Sequence, residues 1–271
     1  MKLKKVFGLL ILVFCTVFLG LIVNARRDNT TEIIYGGVEG AFIRADSTNL
    51  NNQQVDATPE PTPDIWPAMD EEMWQEDQYR LVNEKNLLSS SFYPEIDKIF
   101  EYNAYFNVVG IDSLNAMIKA INDQGWSVII RSAYKGYDYQ NTLFNGTASQ
   151  IWYGNETTMT YEEAVEIAKA SVMLPGASEH QLGLAVDIFD KYYPSPLTYS
   201  NMNKDFYAWL DEHCAEFGFI KRYPTRKYLL TGYDEPWHYR YVGKEIAAFI
   251  MEQGICYEEF YAHYNEGYTF N

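Results

Sequence analysis

Apolar and polar residues alternate along this chain with two periods, one typical of helices and the other typical of strands. The helical period is clearest over residues 111–124, where the apolar positions fall three or four residues apart: Leu114, Met117, Ile118 and Ile121. A second helix is predicted from Thr160 through Ser171, because Thr160-Tyr-Glu-Glu163 is a capping box. Further helices are predicted over 203–217, 244–253 and 257–264.

Short segments rich in β-branched and aromatic residues lie between these helices and predict strands. They are residues 126–131, 184–189, 219–223 and 237–242. Helices and strands alternate without a regular strand–helix–strand period, so the predicted fold class is α+β, in a single compact domain. In strand 184–189, Asp187 faces away from its apolar neighbours, and a carboxylate in such surroundings needs a partner.

The N-terminus is different in character. Lys2, Lys4 and Lys5 precede residues 6–23, a run of 18 residues without a charge. As a helix it would span about 27 Å, close to the roughly 30 Å of hydrocarbon in a bilayer. The run is longer than a usual signal-peptide core, which favours an uncleaved membrane anchor over a signal peptide cut after Ala25. Both interpretations place everything that follows on the extracytoplasmic side.

The chain therefore divides into three parts. Residues 1–27 are the anchor or signal peptide, and residues 28–69 are a polar tether that includes a proline-rich stretch, Thr58-Pro-Glu-Pro-Thr-Pro63. Residues 70–271 form the folded domain.

Composition narrows the range of partners. The formal charge is −16 and lysine and arginine are not clustered, so a nucleic-acid partner is excluded. We expect a monomer.

Of the three cysteines, Cys15 lies in the apolar run, which leaves Cys214 and Cys256 in the folded part. A disulfide between them is open, but two reduced, buried thiols are favoured.

Two polar stretches carry the candidate chemistry. The first is Ser178-Glu-His180-Gln-Leu-Gly183-Leu-Ala-Val-Asp187, and the second is Glu235-Pro-Trp-His238. Two imidazoles and one carboxylate are the usual protein ligands of an open catalytic zinc, and a further free Glu is the expected general base. A turn at Gly183 could bring the loop histidine back beside the strand.

Spacing alone leaves an ordinary explanation open, namely two polar loops and a hydrogen-bonded core histidine. Glu235 and His238 are three residues apart and would point to opposite faces of an ideal strand. Because Pro236 argues against regular pairing, we predict Glu235 on the approach loop and His238 at the start of the strand. His213 and His263 are interpreted as structural.

At these residues the sequence resembles the VanY-type D-alanyl-D-alanine carboxypeptidases of the zinc-dependent M15 peptidases, a group that also contains L,D-carboxypeptidases. The family pattern S-x-H-x-x-G-x-A-x-D is matched from Ser178 to Asp187, and E-x-W-H is matched from Glu235 to His238. Similar context covers about 180 residues, from Leu81 to Phe260. The resemblance implies an M15/hedgehog-like peptidase fold with a central, mainly antiparallel sheet flanked by helices.

The resemblance also implies roles for individual residues. His180, Asp187 and His238 would bind Zn²⁺, and Glu235 would be the catalytic base. Three further residues, Ser178, Gln140 and Tyr134, match positions that line the substrate cleft in the family, although structural roles are equally open for Ser178 and Gln140.

One departure from the family pattern concerns the strand exit. The family usually has Ser-Gly-Tyr-Arg there, whereas this chain has Ser132-Ala-Tyr-Lys135. Lysine keeps the positive charge but loses the planar fork of arginine. Either Lys135 takes over the stabilisation of the oxyanion or Arg131 reaches in, and the sequence leaves both open.

The function expected from this resemblance is that of a membrane-tethered, extracytoplasmic zinc carboxypeptidase. Its substrate would be the peptidoglycan stem peptide, from which it would remove the C-terminal D-alanine. One alternative is an L,D-carboxypeptidase acting on the tetrapeptide. Another is a cell-wall-binding module that keeps the fold without catalysis.

Overall fold

The computed structural model describes residues 66–193 and 202–270. The apolar run 6–23, Cys15 and most of the predicted tether lie outside the described residues. Among the described residues, no helix is both long enough and apolar enough to cross a membrane.

The helices and strands in chain order are β1 (Ile96–Lys98), β2 (Tyr105–Asn107), α1 (Ile111–Asp123), β3 (Val128–Ser132), α2 (Tyr137–Tyr153), α3 (Tyr161–Lys169), β4 (Ala185–Asp190), α4 (Lys204–His213), β5 (Phe219–Tyr223), α5 (Tyr228–Thr231), β6 (Glu235–Tyr241), α6 (Lys244–Gln253) and α7 (Tyr257–Tyr264).

A four-stranded antiparallel sheet lies at the centre, with the strands in the order β3–β4–β6–β5. β1 and β2 form a separate antiparallel pair. Short 3-10 helices occur at Met73–Gln75, Asp77–Tyr79, Glu179–Leu182, Cys214–Phe217 and Thr225–Lys227. The prediction of an α+β fold with an antiparallel sheet flanked by helices is confirmed.

The main core lies where α1 and α4 pack against the sheet. The four apolar residues predicted to form the inner face of α1 are all buried: Leu114, Met117, Ile118 and Ile121. A second cluster joins α6 and α7 to β5 through Ile246, Ala247, Ile250, Ile220 and Tyr257. Burial of these side chains away from water is the main favourable term that holds the helices to the sheet.

Side chains cap the helices where the sequence predicts. The Glu163 backbone N–H donates to Thr160 Oγ1 (3.2 Å), and the Thr160 N–H donates to Glu163 Oε2 (2.8 Å), which completes the capping box. This helix ends at Lys169, slightly before the predicted end. Asn203 Oδ1 accepts the Phe206 N–H at the start of α4.

Residues just before the predicted start of the domain already pack against it. The Trp66 ring stacks on His263 of α7 with centroids 3.8 Å apart. The Tyr264 hydroxyl donates to the carbonyl of Pro67. The segment that begins at Trp66 therefore covers the C-terminal helix.

Both cysteines of the described region are free and buried, as the sequence favours. Burial raises the pKa of Cys214 to about 12 and that of Cys256 to about 12, and nearby carboxylates add to the effect. These thiols therefore remain protonated and unreactive at neutral pH.

Candidate metal centre

His180, Asp187 and His238 converge in the structure. One nitrogen of each histidine and one carboxylate oxygen of Asp187 all lie within 4.8 Å of one another. Asp187 Oδ2 is 3.4 Å from His180 Nε2, and Asp187 Oδ1 is 3.1 Å from His238 Nδ1. Three ligand atoms from two distant stretches of sequence thus surround one small space.

Two local features bring these side chains together. Asp187 and His238 are directly paired across β4 and β6, and paired residues of an antiparallel sheet point to the same face. His180 lies in the 3-10 helix Glu179–Leu182, which ends at Gly183 with a φ of +70°. A β-carbon at Gly183 would lie 3.2 Å from the backbone nitrogen of Asn107, so the turn requires glycine in both conformation and space.

The predicted loop position of Glu235 is wrong, and so is the predicted position of His238 at the start of the strand, because β6 already begins at Glu235. Glu235 and Pro236 both belong to β6, and Glu235 is paired with Tyr223 of β5. The register between the two strands shifts between Lys221 and Tyr223, and this irregularity interrupts the alternation of side chains. Glu235 Oε2 consequently lies 3.5 Å from His238 Nδ1 although the two residues are three apart.

The second nitrogen of each histidine is held by an acceptor. His180 Nδ1 donates to the Ala133 carbonyl at 2.8 Å, with Ser132 Oγ also at 3.3 Å. His238 Nε2 lies 3.4 Å from Glu179 Oε2. The first contact leaves Nε2 of His180 free to face Asp187, and the second leaves Nδ1 of His238 free to do the same. Such outer contacts set the tautomer of metal-binding histidines.

Sequence reasoning missed Glu179. Its side chain is fully buried, and its Oε1 accepts hydrogen bonds from Arg222 Nε (2.8 Å) and lies 3.0 Å from Arg240 Nη1. Arg222 in turn donates to both carboxylate oxygens of Glu258 on α7, at 2.8 and 2.6 Å. We call Glu179, Arg222, Arg240 and Glu258 the buried ion cluster. Glu179 falls on an unspecified position of the S-x-H pattern, so the motif gave no signal for it.

Burial and neighbouring charges shift the pKa of each group in the centre. Burial, aided by the positive charge of Lys135, lowers the pKa of His180 to about 4. Burial would lower the pKa of His238, but its contacts with Asp187 and Glu179 raise it to about 9. Burial raises the pKa of Glu235 to about 7, against the opposing influence of His238.

The two remaining acids stay ionised. Burial alone would raise the pKa of Asp187, but His180 and His238 hold it well below its usual range. Burial would likewise raise the pKa of Glu179, but the guanidinium groups of Arg222 and Arg240 hold it well below that range. The centre therefore places two ionised carboxylates beside the neutral ring of His180 and the protonated ring of His238. A cation that takes the place of the proton on Nδ1 of His238 would be attracted by the same carboxylates.

The two basic residues at the exit of β3 occupy different surroundings. The guanidinium of Arg131 lies over the ring of Phe189, 5.8 Å from its centroid. Lys135 is close enough for its charge to lower the pKa of both His180 and Glu235. Its backbone N–H donates to the carbonyl of His180 at 3.0 Å, which ties the strand exit to the histidine loop.

The three predicted substrate-binding residues lie on different segments: Tyr134 follows β3, Gln140 lies on α2, and Ser178 precedes the 3-10 helix that carries His180. Gln140 is buried in α2, where its amide nitrogen donates to the Met173 carbonyl at 2.7 Å, while its Oε1 has no hydrogen-bond partner among the described residues. Ser178 is buried at the start of the histidine loop. Tyr134 is partly buried, and its hydroxyl would lie 3.1 Å from a β-carbon at position 136, which is occupied by glycine.

The other two histidines have structural contacts. His213 Nδ1 lies 2.7 Å from Glu216 Oε1, and its ring packs on Trp209. His263 stacks on Trp66.

The arrangement as a whole offers two imidazole nitrogens, one ionised carboxylate and a neighbouring acid. This donor set and its fixed tautomers fit a divalent cation of the zinc type, which favours nitrogen and oxygen ligands with one position left open. Glu235 is not among the three ligands, and 29% of its side chain is exposed. It can therefore exchange a proton with solvent or with a molecule bound beside it.

Comparison with known proteins gives concordant matches. The profile of the family described as "VanY: D-alanyl-D-alanine carboxypeptidase" matches residues 104–244. A D-alanyl-D-alanine carboxypeptidase of Enterococcus faecalis is 34% identical over 192 residues, which cover 70% of this chain and 67% of that protein.

Two solved structures resemble the fold. VanYB in complex with D-alanine-D-alanine gives a TM-score of 0.59 at 34% identity, covering 70% of this chain and 100% of that chain. A VanY D,D-pentapeptidase mutant from a VanB-type resistance cassette, in complex with Zn(II), gives a TM-score of 0.58 at 34% identity, covering 69% of this chain and 99% of that chain.

Proposed function

This chain belongs to the VanY family of D-alanyl-D-alanine carboxypeptidases, and from that premise we propose that it is a zinc-dependent carboxypeptidase acting on peptidoglycan stem peptides. It removes the C-terminal D-alanine. The observation that carries the proposal is the convergence of His180, Asp187 and His238, with Glu235 beside them and outside the ligand set.

The ligand set fits zinc, and a related VanY D,D-pentapeptidase mutant was solved in complex with Zn(II). His180 would bind through Nε2, His238 through Nδ1 and Asp187 through a carboxylate oxygen, because the opposite nitrogens of the two rings are held by Ala133 and Glu179. Zinc bound there would act as a Lewis acid, which would lower the pKa of water and polarise a carbonyl oxygen.

Glu235 acts as the general base and then as the general acid of the reaction. It accepts a proton from the water that attacks the carbonyl carbon of the terminal peptide bond. It then delivers this proton to the departing amine as the carbon–nitrogen bond breaks. The products are free D-alanine and a peptide shortened by one residue. No oxidant or second substrate is needed besides water.

Lys135 is the better candidate for the positive charge that faces the oxyanion or the substrate carboxylate. The charge of Lys135 lowers the pKa of both His180 and Glu235, which supports this assignment. Arg131 instead lies over the ring of Phe189, which supports a role for it at the edge of the sheet. A fixed positive charge near a developing oxyanion stabilises the transition state.

Gln140, Ser178 and Tyr134 are proposed to line the substrate cleft. For Gln140 the support is its anchored amide nitrogen, which leaves the buried Oε1 without a hydrogen-bond partner among the described residues. A buried acceptor without a protein partner is costly unless water or a ligand satisfies it.

The proposal is tested with defined peptides and mass spectrometry of the products. Purified protein beginning at Asp28 is incubated with a stem pentapeptide ending in D-alanyl-D-alanine and, separately, with the tetrapeptide. Loss of one alanine from the pentapeptide is expected. Cleavage of the tetrapeptide alone would instead indicate the L,D-carboxypeptidase. No cleavage of either, with zinc bound, would indicate a binding module.

A matched pair of variants tests the role of Glu235. Glu235→Gln should retain zinc and lose about 10²–10⁴-fold in kcat, the usual contribution of a general base. Glu252→Gln, which alters an exposed carboxylate on α6, should retain full activity. An active Glu235→Gln enzyme would remove the proposed base.

Attachment to the membrane through residues 6–23 on the extracytoplasmic side, and action as a monomer, are further parts of the proposal. The uncharged run after three lysines and the location of peptidoglycan outside the membrane support the attachment. Membrane fractionation of the full chain against a chain that lacks residues 1–27 tests it. Light scattering of the shorter chain tests the monomer.

A further inference from the structure

Glu179 divides its two carboxylate oxygens between two kinds of partner. Oε1 faces the guanidinium groups of Arg222 and Arg240, at 2.8 and 3.0 Å. Oε2 faces His238 Nε2 at 3.4 Å and has no other partner among the described residues. A buried ion pair alone would not require this second oxygen to be turned towards a ring in the metal centre.

We propose that Glu179 is a positioning residue for the metal. By accepting the Nε2–H of His238 it keeps the proton on that nitrogen, so that Nδ1 presents its lone pair to the metal beside Asp187. The inference rests on the proposed zinc-dependent function and adds to it the residue that selects which nitrogen of His238 binds.

The buried ion cluster holds Glu179 in place. Arg222 is clamped between Glu179 and Glu258, with its guanidinium also 5.7 Å from the Tyr257 ring centroid. Arg240 donates further hydrogen bonds to backbone carbonyls of Asp77, Gln78 and Arg80. Since both cations are immobilised on the side away from the metal, the carboxylate of Glu179 has one stable orientation.

Glutamine at this position would create a conflict. If its carbonyl oxygen faces His238, its amide N–H groups point at two guanidinium groups, which are also donors. If its amide nitrogen faces His238, Nε2 must become an acceptor and the proton moves to Nδ1, where it blocks the metal. Both orientations weaken the site, although the size of the side chain is unchanged.

The test compares E179Q with E258Q. Each variant removes one negative charge from the same buried ion cluster, but only E179Q alters the contact with His238. Zinc dissociation constants are measured by competition with a chelating dye, and the visible spectrum of the cobalt-substituted protein reports the ligand geometry. We expect E179Q to bind zinc about 10–100-fold more weakly than wild type, the usual effect of losing such a partner, and to change the cobalt spectrum. E258Q should bind zinc within about threefold of wild type and keep the cobalt spectrum, because it leaves the partner of His238 in place.

A second measurement uses the wild-type protein and does not depend on the folding of either variant. In protein labelled with nitrogen-15 histidine and loaded with cadmium-113, the coupling between metal and nitrogen identifies the ligating atoms. We expect coupling to Nδ1 of His238 and a slowly exchanging proton on its Nε2. Coupling to Nε2 of His238 would overturn the inference.

Equal zinc affinity in wild type and E179Q, or equal losses in E179Q and E258Q, would also overturn it. These outcomes are separate from a failure of the proposed function, in which wild-type protein itself would neither bind zinc nor release D-alanine.

Discussion

Removal of one charge from the buried ion cluster should destabilise the whole domain. The cluster contains two carboxylates, Glu179 and Glu258, and two guanidinium groups, Arg222 and Arg240, all with at most 1% of the side chain exposed. The charges balance. Glu258→Gln leaves one uncompensated positive charge in the interior, which typically costs about 3–5 kcal/mol. Against a total stability of roughly 5–15 kcal/mol, this is a large fraction.

The free energy of unfolding is measured by urea titration of the metal-free protein, followed by tryptophan fluorescence. For a domain of this size, a loss of about 3–5 kcal/mol corresponds to a fall in Tm of about 6–20 °C. Asp123→Asn, which breaks the exposed ion pair with Lys119 on α1, is the control and should cost at most about 0.5 kcal/mol.

A double variant tests the cause. Arg222→Met with Glu258→Leu removes one charge of each sign and leaves Glu179 paired with Arg240. It should lose less stability than the sum of the two single variants, with a coupling energy of about 1–3 kcal/mol. If Glu258→Gln costs under about 1 kcal/mol, or if the single losses simply add, charge balance does not govern this cluster.

Four further predictions concern separate parts of the molecule. Lys135→Met should lower kcat/KM by at least about tenfold, and Arg131→Met should leave it nearly unchanged, in steady-state assays with the pentapeptide; similar losses in both would contradict the assignment. A chelator should abolish hydrolysis and lower Tm, and zinc at 100 times its dissociation constant should restore about 2.7 kcal/mol of stability. Gly183→Ala should cost about 1 kcal/mol or more, because its φ of +70° strains an alanine, and should weaken zinc binding in the same dye assay; wild-type values would refute the requirement for glycine. In protein that begins at Asp28, Cys214 and Cys256 should resist iodoacetamide at pH 8 and react only on unfolding, since burial raises the pKa of each to about 12; labelling of native protein, detected by mass, would contradict this.

Much of the fold could be predicted because strong local patterns agree with the final structure. The bounds of β5, α6 and α7 match the segments 219–223, 244–253 and 257–264. β5 begins directly after Gly218, and Gly254 follows the last residue of α6, so glycine marks these two boundaries in the sequence. Asp187 and His238 are separated by 50 residues in the sequence, so their proximity could be anticipated only through the family motif.

Helix α2 and strands β1 and β2 could not be predicted, because their sequence patterns are too weak. Helix α2 buries Gln140, Phe144, Ala148 and Ile151, which have helical spacing but include a polar and a small residue, and Gly146 interrupts the helix-forming residues around them. The short strands β1 and β2 carry three residues each, too few for a period to be recognised.

Tertiary structure decided two features of the centre. Glu235 was expected on a loop because Pro236 cannot donate to a ladder, but β6 accommodates this proline where the register with β5 shifts. Glu179 is defined as part of the centre only by its partners on β5 and β6, and no pattern within its own segment identifies them.

Glu258, which α7 contributes to the buried ion cluster, follows all three metal ligands in the sequence. During synthesis the two histidines and the aspartate leave the ribosome before this last carboxylate does. The nascent chain therefore carries a complete set of metal ligands while Arg222 still has only Glu179 as a counterion. Completion of the buried ion cluster therefore depends on α7, and a chain cut before residue 258 would keep all three metal ligands but leave Arg222 without the two hydrogen bonds that Glu258 accepts.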